Sequence, residues 1–164
     1  MNKVLIISTG GTFDKEYGAG AGVLNFTFGS PAASNILKRS GVYYGYSIVN
    51  PFSKDSLEMT DADRYLILTL CQKYVNEKIV ITHGTDTMID TARVLACASM
   101  EKTIVITGSS QPAVMRDTDA DFNLGFALGV AQVGSIGVSI AMNGQVFEWD
   151  RVSKNLTTGL FERK

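Results

Sequence analysis

Short apolar runs alternate along the chain with stretches whose apolar residues recur at helical spacing. The apolar runs predict strands over residues 3–8, 42–49, 79–82, 103–107 and 136–142. The helical spacing predicts helices over residues 30–39, 60–74, 88–99 and 119–132. The first run, Val-Leu-Ile-Ile, is apolar throughout, as in a sheet covered on both faces. The pattern therefore predicts one α/β domain with a doubly wound, mainly parallel sheet of the Rossmann or flavodoxin-like class and helices on both faces.

Residues typical of helix starts and tight turns mark several boundaries. Ser30 followed by Pro31 is typical of an N-cap and a first-turn residue. Thr60 with Asp63 three residues later predicts a capping box at the start of the next helix. Asn-Gly at 143–144 predicts a two-residue hairpin turn after the last long strand.

Two segments lack a regular pattern. Residues 14–29 are rich in glycine and aromatic residues, and we expect a flexible loop or hairpin over the first polar turn. Residues 148–164 are polar, and we expect them to end in a charged tail. A chain of 164 residues with 45% hydrophobic residues can bury one core. The expectation is a single domain over residues 1–164, complete in itself, with no C-terminal domain.

The charge and the apolar runs restrict the partners and the location. A formal net charge of −1 at pH 7 argues against nucleic acid and against an anionic membrane surface. The first apolar run is too short for a signal peptide or a membrane span, so we expect a cytoplasmic protein. Cys71 and Cys97 lie in apolar helical stretches without a CxxC pair, and both are expected to be buried thiols.

Polar turns follow three of the predicted strands. Residues 9–12 are Thr-Gly-Gly-Thr, residues 83–87 are His-Gly-Thr-Asp-Thr, and residues 108–112 are Gly-Ser-Ser-Gln-Pro. Because the carboxyl ends of parallel strands meet at one edge, we expect these turns to lie together where α/β proteins bind ligands. The second turn also precedes a helix, whose free N–H groups suit an anion or an oxygen that gains charge during a reaction.

The residue inventory excludes several kinds of site. His83 is the single histidine, which leaves no Ser-His-Asp arrangement and no zinc site of the usual histidine type, and we expect it to hydrogen-bond its own turn. The acidic residues at 117–121 resemble a calcium loop, but Phe122 and Leu128 stand where glycine and glutamate are needed. No Walker A loop is present, so nucleotide binding has little support.

The remaining candidates are hydroxyl groups. They lie at the ends of three strands, as the pairs Thr9 and Thr12, Thr85 and Thr87, and Ser109 and Ser110. A threonine hydroxyl is a weak nucleophile unless a neighbour activates it, which a tyrosine or a lysine can do where histidine is absent. Glycines beside Thr12 and Thr85 let backbone N–H groups approach a substrate. The alternative is that these segments are only turns and helix caps, in which the same residue types are favoured.

These motifs together resemble a known family. Thr-Gly-Gly-Thr at 9–12 and His-Gly-Thr-Asp-Thr-Met at 83–88 resemble the two signatures of bacterial-type L-asparaginases. The likeness continues through Asp55-Ser56, Thr107-Gly108-Ser109, Asp119 with Phe122-Asn123-Leu124, Met142-Asn143 and Val152-Ser153-Lys154. It covers nearly the whole chain, which is similar to a short-chain branch of the family and to the N-terminal domain of its longer members.

The resemblance implies hydrolysis of the side-chain amide of L-asparagine to L-aspartate and ammonia, without metal or cofactor. It implies that Thr12 is the nucleophile of a covalent acyl-enzyme and that Tyr17, on a mobile loop, assists its proton transfer. Lys154 would polarise Thr85, and Thr85 would position the attacking water. The predicted catalytic residues are Thr12, Tyr17, Thr85, Asp86 and Lys154.

The same resemblance implies how a zwitterionic substrate is held. Asp86 would accept the α-ammonium group, Ser56 would hold the α-carboxylate, and the backbone of Ser109 would lie near the leaving amide. This fits the need of such a ligand for a fixed carboxylate and for N–H or O–H donors. The predicted substrate-binding residues are Gly11, Ser56, Leu57, Gly84, Thr85, Asp86 and Ser109.

The sequence departs from the longer family members in two respects. We expect no second domain, from which a neighbouring subunit would supply a glutamate in the longer members, and Leu57 stands where a glutamine usually contacts the substrate. The lost charged contact predicts weak binding of the α-ammonium group and a high KM, with Glu16 or a partner's carboxylate as open substitutes. The family likeness also implies a homodimer or homotetramer.

Two other functions remain open. A broader amidase could act on L-glutamine or another small amide, because one methylene changes binding by only about 1–3 kcal/mol. A binding module could keep the fold without catalysis, because a fold does not guarantee a function.

Overall fold

The computed structural model describes residues 3–18 and 25–164. In chain order the strands are β1 (Val4–Ser8), β2 (Lys15–Tyr17), β3 (Phe26–Phe28), β4 (Tyr46–Val49), β5 (Lys78–Thr82), β6 (Thr103–Thr107), β7 (Gly137–Met142), β8 (Gln145–Glu148), β9 (Val152–Lys154) and β10 (Phe161–Arg163). The helices are α1 (Ala32–Arg39), α2 (Asp61–Lys73), α3 (Met88–Cys97) and α4 (Ala120–Val133). Short 3-10 turns cover Thr12–Asp14 and Ser56–Glu58.

The main sheet has the order β4-β1-β5-β6-β7-β8. The first five strands in this order are parallel, and β8 pairs antiparallel with β7. The chain passes from β1 to β4 on one side and then to β5 on the other side of β1. The strand order therefore reverses between β1 and β5, the kind of switch point at which open α/β sheets bind ligands.

Helices pack on both faces of this sheet. Leu5 and Ile7 belong to a core with residues of α2 and α3, whereas Val4 and Ile6 belong to a core with residues of α1 and α4. Successive strand residues point to opposite faces, so each continuous apolar run supplies both cores. The predicted doubly wound, mainly parallel α/β fold is confirmed.

Two of the three predicted boundary signals are confirmed. Thr60 and Asp63 form the capping box of α2, with both reciprocal hydrogen bonds present. Asn143 and Gly144 have φ angles of 51° and 79°, the positive values that a tight hairpin turn requires, and they join β7 to β8.

The start of α1 differs from the prediction. The N-cap residue is Pro31, and the Ala32 N–H donates at 2.8 Å to Oδ1 of Asp14, a buried carboxylate from an earlier part of the chain. Asp14 thus satisfies a free N–H at the positive end of the helix, the task predicted for Ser30.

Three other local predictions need correction or completion. Strand β4 begins at Tyr46 rather than at residue 42, and Tyr43 before it is 98% exposed. Part of residues 14–29 forms the hairpin β2–β3, while residues 19–24 of that segment lie outside the described residues. Cys71 is buried but Cys97 is exposed, because position 97 lies about 200° around the helix from the buried Leu95.

The polar segment 148–164, predicted to end in a charged tail, instead contributes a hairpin to the core. Strands β9 and β10 form an antiparallel hairpin, with Val152 opposite Arg163 and Lys154 opposite Phe161. Val152 is 0% and Phe161 is 5% exposed, and both join the core beside α2 and α3. The few apolar residues of this segment are not spaced with the period of a strand, so the sequence pattern does not predict this hairpin.

We expect the Phe161→Ala substitution to destabilise the protein by about 3 kcal/mol, because it removes a buried ring and leaves a cavity. Denaturant-induced unfolding would measure the change. Leu156→Ala is the matched control, since Leu156 is 90% exposed and its loss should change stability by less than about 0.5 kcal/mol. Equal effects of the two substitutions would mean that the hairpin does not pack on the core in solution.

None of the helices within residues 3–18 and 25–164 is both long enough and apolar enough to cross a bilayer.

Candidate functional site

The turns that follow β1 and β5 touch through their backbones. The Thr9 N–H donates to the Thr82 carbonyl at 3.1 Å, and Gly11 has a φ of 66°. A Cβ atom on Gly11 would lie only 2.5 Å from the backbone nitrogen of Gly84. Because no side chain fits between the turns at this point, glycine at position 11 is required for their contact.

A third segment, residues 50–59, closes against both turns. Lys54 pairs with the first turn through its backbone: it accepts from Gly11 N–H at 2.8 Å and donates to the Thr9 carbonyl at 3.0 Å. The Thr87 hydroxyl of the second turn donates to the Ser56 carbonyl at 2.7 Å. The segment is therefore fixed at two points, Lys54 and Ser56, one on each turn.

The Ser56 side chain sits against Gly84 and has an unused hydroxyl. A Cβ atom on Gly84 would lie 2.6 Å from Cβ and 2.7 Å from Oγ of Ser56. Ser56 is 1% exposed, and among the described residues its Oγ has no hydrogen-bond partner. An unpaired buried hydroxyl costs about 1–3 kcal/mol, so this Oγ suits a ligand that brings an acceptor or donor.

Hydrogen bonds to the buried Asp14 carboxyl stabilise the first turn. Oδ2 of Asp14 accepts from the Ser8 hydroxyl at 2.5 Å and from Gly10 N–H at 3.2 Å. Burial raises the pKa of the Asp14 carboxyl above its usual value, and the hydrogen bonds from Ser8, Ala32 and Gly10 oppose this increase without cancelling it. One buried carboxylate therefore links the Thr-Gly-Gly-Thr turn to the start of α1.

The second turn meets a lysine from the C-terminal hairpin. Nζ of Lys154, on β9, donates to Oγ1 of Thr85 at 2.8 Å and lies 2.6 Å from Oδ1 of Asp86. The Lys154 side chain is only 16% exposed, whereas that of Asp86 is 41% exposed. The arrangement joins a cation, a hydroxyl and a carboxylate at the carboxyl end of β5.

His83 anchors the same turn. Nδ1 lies 2.7 Å from the Gly84 carbonyl, and Nε2 lies 2.8 Å from Oγ1 of Thr91 on α3. Because a carbonyl only accepts, Nδ1 carries the proton and Nε2 accepts from the threonine hydroxyl. Burial lowers the pKa of the ring to about 4, with Arg64 adding to the decrease. His83 is therefore neutral near pH 7, and its predicted role in hydrogen-bonding the turn is confirmed.

The turn after β6 contacts the turn after β5. A Cβ atom on Gly108 would lie 2.3 Å from the His83 carbonyl oxygen and 3.3 Å from Cγ2 of Thr85. Asn123, on α4, donates to the Gly108 carbonyl at 3.0 Å and accepts from Asn143 N–H at 3.0 Å. This bracing role was not predicted, although a buried asparagine on the apolar face of a helix is the signal that could have suggested it.

Carboxyl and hydroxyl groups close the turn after β6. Asp119 accepts from the N–H groups of Ser110 and Gln111 at 3.0 and 3.1 Å. The Ser109 hydroxyl donates to the Gln111 carbonyl at 2.6 Å, so this side chain is engaged within its own turn.

The remaining predicted site residues are more exposed. Thr12 is half-buried at the start of a 3-10 turn, and its hydroxyl has no hydrogen-bond partner in the described part of the chain. Tyr17 lies on the hairpin β2–β3, 54% exposed, with its ring 5.2 Å from that of Phe26. Leu57 is 74% exposed beside Ser56.

Contacts therefore join most, but not all, of the predicted site. The joined residues are Gly11, Ser56, Gly84, Thr85, Asp86 and Lys154. The catalytic and binding roles of the predicted residues stay predictions. Within residues 3–18 and 25–164, no group of three or more His, Cys, Asp or Glu side chains could hold a metal ion.

Hydroxyls, a carboxylate and a lysine meet at the switch point of an α/β sheet, where proteins of this class bind small molecules. Sequence comparison identifies the family. The model of the asparaginase N-terminal domain matches residues 3–161. The chain belongs to the asparaginase family.

Three relatives show the range of activities among similar proteins. L-asparaginase 2 of Escherichia coli is 33% identical, with 94% of this chain and 47% of the relative covered. Glutaminase-asparaginase of Acinetobacter glutaminasificans is 28% identical, with 94% and 50% covered. A glutamyl-tRNA(Gln) amidotransferase polypeptide of Methanococcus vannielii is 30% identical, with 100% and 39% covered. The chain spans at most about half the length of these relatives.

A solved structure shows the same architecture. L-asparaginase I from Vibrio cholerae superposes with a TM-score of 0.83 at 25% identity, and the match covers 99% of this chain and 52% of that chain. The family model and this superposition agree on the fold of the chain.

Proposed function

We propose that the protein hydrolyses L-asparagine to L-aspartate and ammonia through a threonine acyl-enzyme. The observation that carries the proposal is the contact of Lys154 with both Thr85 and Asp86 at the switch point of the sheet. A lysine ammonium beside a hydroxyl favours the oxygen's negative charge as its proton is lost. The family signatures at residues 9–12 and 83–88 lie on the two turns that meet here.

In the proposed first step, Oγ of Thr12 attacks the carbon of the substrate's side-chain amide. The hydroxyl proton passes, with help from Tyr17, to the amide nitrogen, the C–N bond breaks, and ammonia leaves an ester on Thr12. In the second step a water positioned by Thr85 attacks this ester, and its proton returns to Oγ of Thr12 as aspartate leaves.

Substrate binding follows from the charges at the site. Asp86 would accept the α-ammonium group through the oxygen that Lys154 leaves free, and Ser56 would donate to the α-carboxylate. The unpartnered Oγ of Ser56 supports this assignment. Gly11 N–H already donates to the Lys54 carbonyl, so Gly11 acts by letting the two turns approach rather than as an oxyanion donor. The backbone of Ser109 would lie near the leaving amide.

We expect KM for L-asparagine to be high, in the millimolar range. One carboxylate, Asp86, already neutralised in part by Lys154, has to hold the α-ammonium group, and the exposed Leu57 adds no polar contact. Initial rates of ammonia release against asparagine concentration would test this. Saturation at micromolar asparagine would contradict it.

A second candidate function is a broader amidase that also accepts L-glutamine. The glutaminase-asparaginase among the relatives favours it. Ammonia release from asparagine and from glutamine, measured side by side, separates the two enzymes. Release from neither, with tight binding of either amino acid, would instead indicate a binding module.

The location and assembly of the protein are proposed on the family likeness. We propose a cytoplasmic homodimer or homotetramer. Cell fractionation and light scattering would test these proposals, and a monomer at assay concentration would contradict the second.

A further inference from the structure

An ion pair outside the reacting groups connects helix α2 to the site. Nζ of Lys54 lies 2.8 Å from both carboxylate oxygens of Asp63. The Asp63 side chain is only 12% exposed, and it also accepts from the N–H and hydroxyl of Thr60 at 2.8 and 2.9 Å. The carboxylate is thereby held rigidly at the first turn of α2.

Lys54 touches the catalytic region through its backbone. Its N–H and carbonyl pair with Thr9 and Gly11, and Ser56 follows two residues later. Outside its short 3-10 turn, segment 50–59 has irregular structure and depends on specific contacts to keep its position. The Lys54 side chain ties this segment to a rigid element, since its ammonium meets a carboxylate fixed by a helix cap.

We propose that Asp63 is a positioning residue: through its ion pair with Lys54 it fixes the segment that supports the 9–12 turn and presents Ser56. This inference rests on the proposed function for its catalytic consequence. Misplacing Thr12 and Ser56 by a fraction of an ångström weakens both attack and binding, although Asp63 touches neither residue.

The low pKa of Asp63 agrees with this role. Hydrogen bonds from Lys54 and Thr60 lower it to about 2. The carboxylate is therefore charged over the whole pH range in which the protein would be assayed, and the ion pair persists throughout that range.

The test compares Asp63→Asn and Lys54→Met with two matched controls. Thr60→Ala removes the hydroxyl that caps α2 but keeps the ion pair and the hydrogen bond from the backbone N–H of position 60 to Asp63, and Asp61→Asn removes a neighbouring carboxylate that is 88% exposed. We expect the first two variants to lower kcat/KM for asparagine about tenfold, mainly through KM, and the controls to leave KM unchanged. The kcat/KM of the double variant should be no lower than that of either single variant. Lys54→Arg, which keeps a cation beside Asp63, should retain the wild-type KM.

A second measurement needs no substrate. The amide protons of Gly11 and Lys54 should exchange with solvent about tenfold faster in Asp63→Asn than in Thr60→Ala, because the strand-like pairing of these residues loosens. Equal exchange in both variants, or equal KM in Asp63→Asn and Thr60→Ala, would overturn the inference. A wild-type protein that releases no ammonia would overturn the proposed function alone, and the exchange rates would then decide whether the ion pair fixes the turn.

Discussion

Alanine at position 12 is expected to lower kcat for asparagine hydrolysis by at least about a thousandfold, because it removes the proposed nucleophile. Thr12 is half-buried on a turn fixed by Asp14 and by Lys54, and its hydroxyl has no hydrogen-bond partner among the described residues. These contacts hold the turn through its backbone and do not use the Thr12 side chain, so the substitution should reduce catalysis and not the stability of the fold. Ammonia release under saturating asparagine measures the effect.

The controls separate chemistry from binding and folding. Thr12→Ser keeps a hydroxyl and should retain measurable activity, and Thr12→Ala should still bind aspartate and unfold at the wild-type temperature. Thr85→Val should also be inactive, since it removes the hydroxyl that accepts from Lys154. Full activity of Thr12→Ala would exclude an acyl-enzyme on this residue, and rapid-quench detection of an ester on Thr12 in the wild type would support it.

The apolar runs and the polar turns that follow them were enough to predict the sheet and the position of the site at the carboxyl ends of its strands. Runs such as Val4–Ser8 and Thr103–Thr107 are buried at every position, and only a parallel sheet covered on both faces demands such runs. Parallel pairing then brings the ends of β1, β5 and β6 to one edge, so turns far apart in sequence come together. The meeting of Gly11 with Gly84 follows from this topology.

Other features depend on contacts that the local sequence does not encode. Lys154 lies in a polar segment with no periodicity, and only the family resemblance placed it at the site. The burial of Val152 and Phe161 fixes its strand, and the apolar residues around them do not recur with the period of a strand or a helix. Two further contacts, the bond from Ala32 N–H at the start of α1 to Asp14 and the ion pair of Lys54 with Asp63, are also tertiary. The pattern of apolar and polar residues does not predict them.

Acid should weaken the fold through His83. In the unfolded chain the imidazole has a pKa near 6.5, and burial lowers the pKa in the folded protein to about 4. Between pH 6.5 and pH 4 the imidazole binds a proton in the unfolded chain but stays neutral in the folded protein. The contribution of His83 to stability is therefore complete above pH 6.5 and is lost as the pH falls toward 4, by about 3 kcal/mol.

The substitution His83→Gln isolates this effect, because His83 is the single histidine of the chain. Free energies of unfolding, measured for both proteins from pH 7.5 to pH 4, should show the wild type losing about 3 kcal/mol more than the variant. Titration of carboxyl groups such as Asp14 occurs in both proteins and cancels in the difference. An NMR titration of the ring checks the cause directly: a midpoint near 6.5 in the folded wild type would contradict it. A low midpoint means that Nε2 continues to accept from the Thr91 hydroxyl through mild acid, whereas Nδ1 donates to the Gly84 carbonyl in either protonation state.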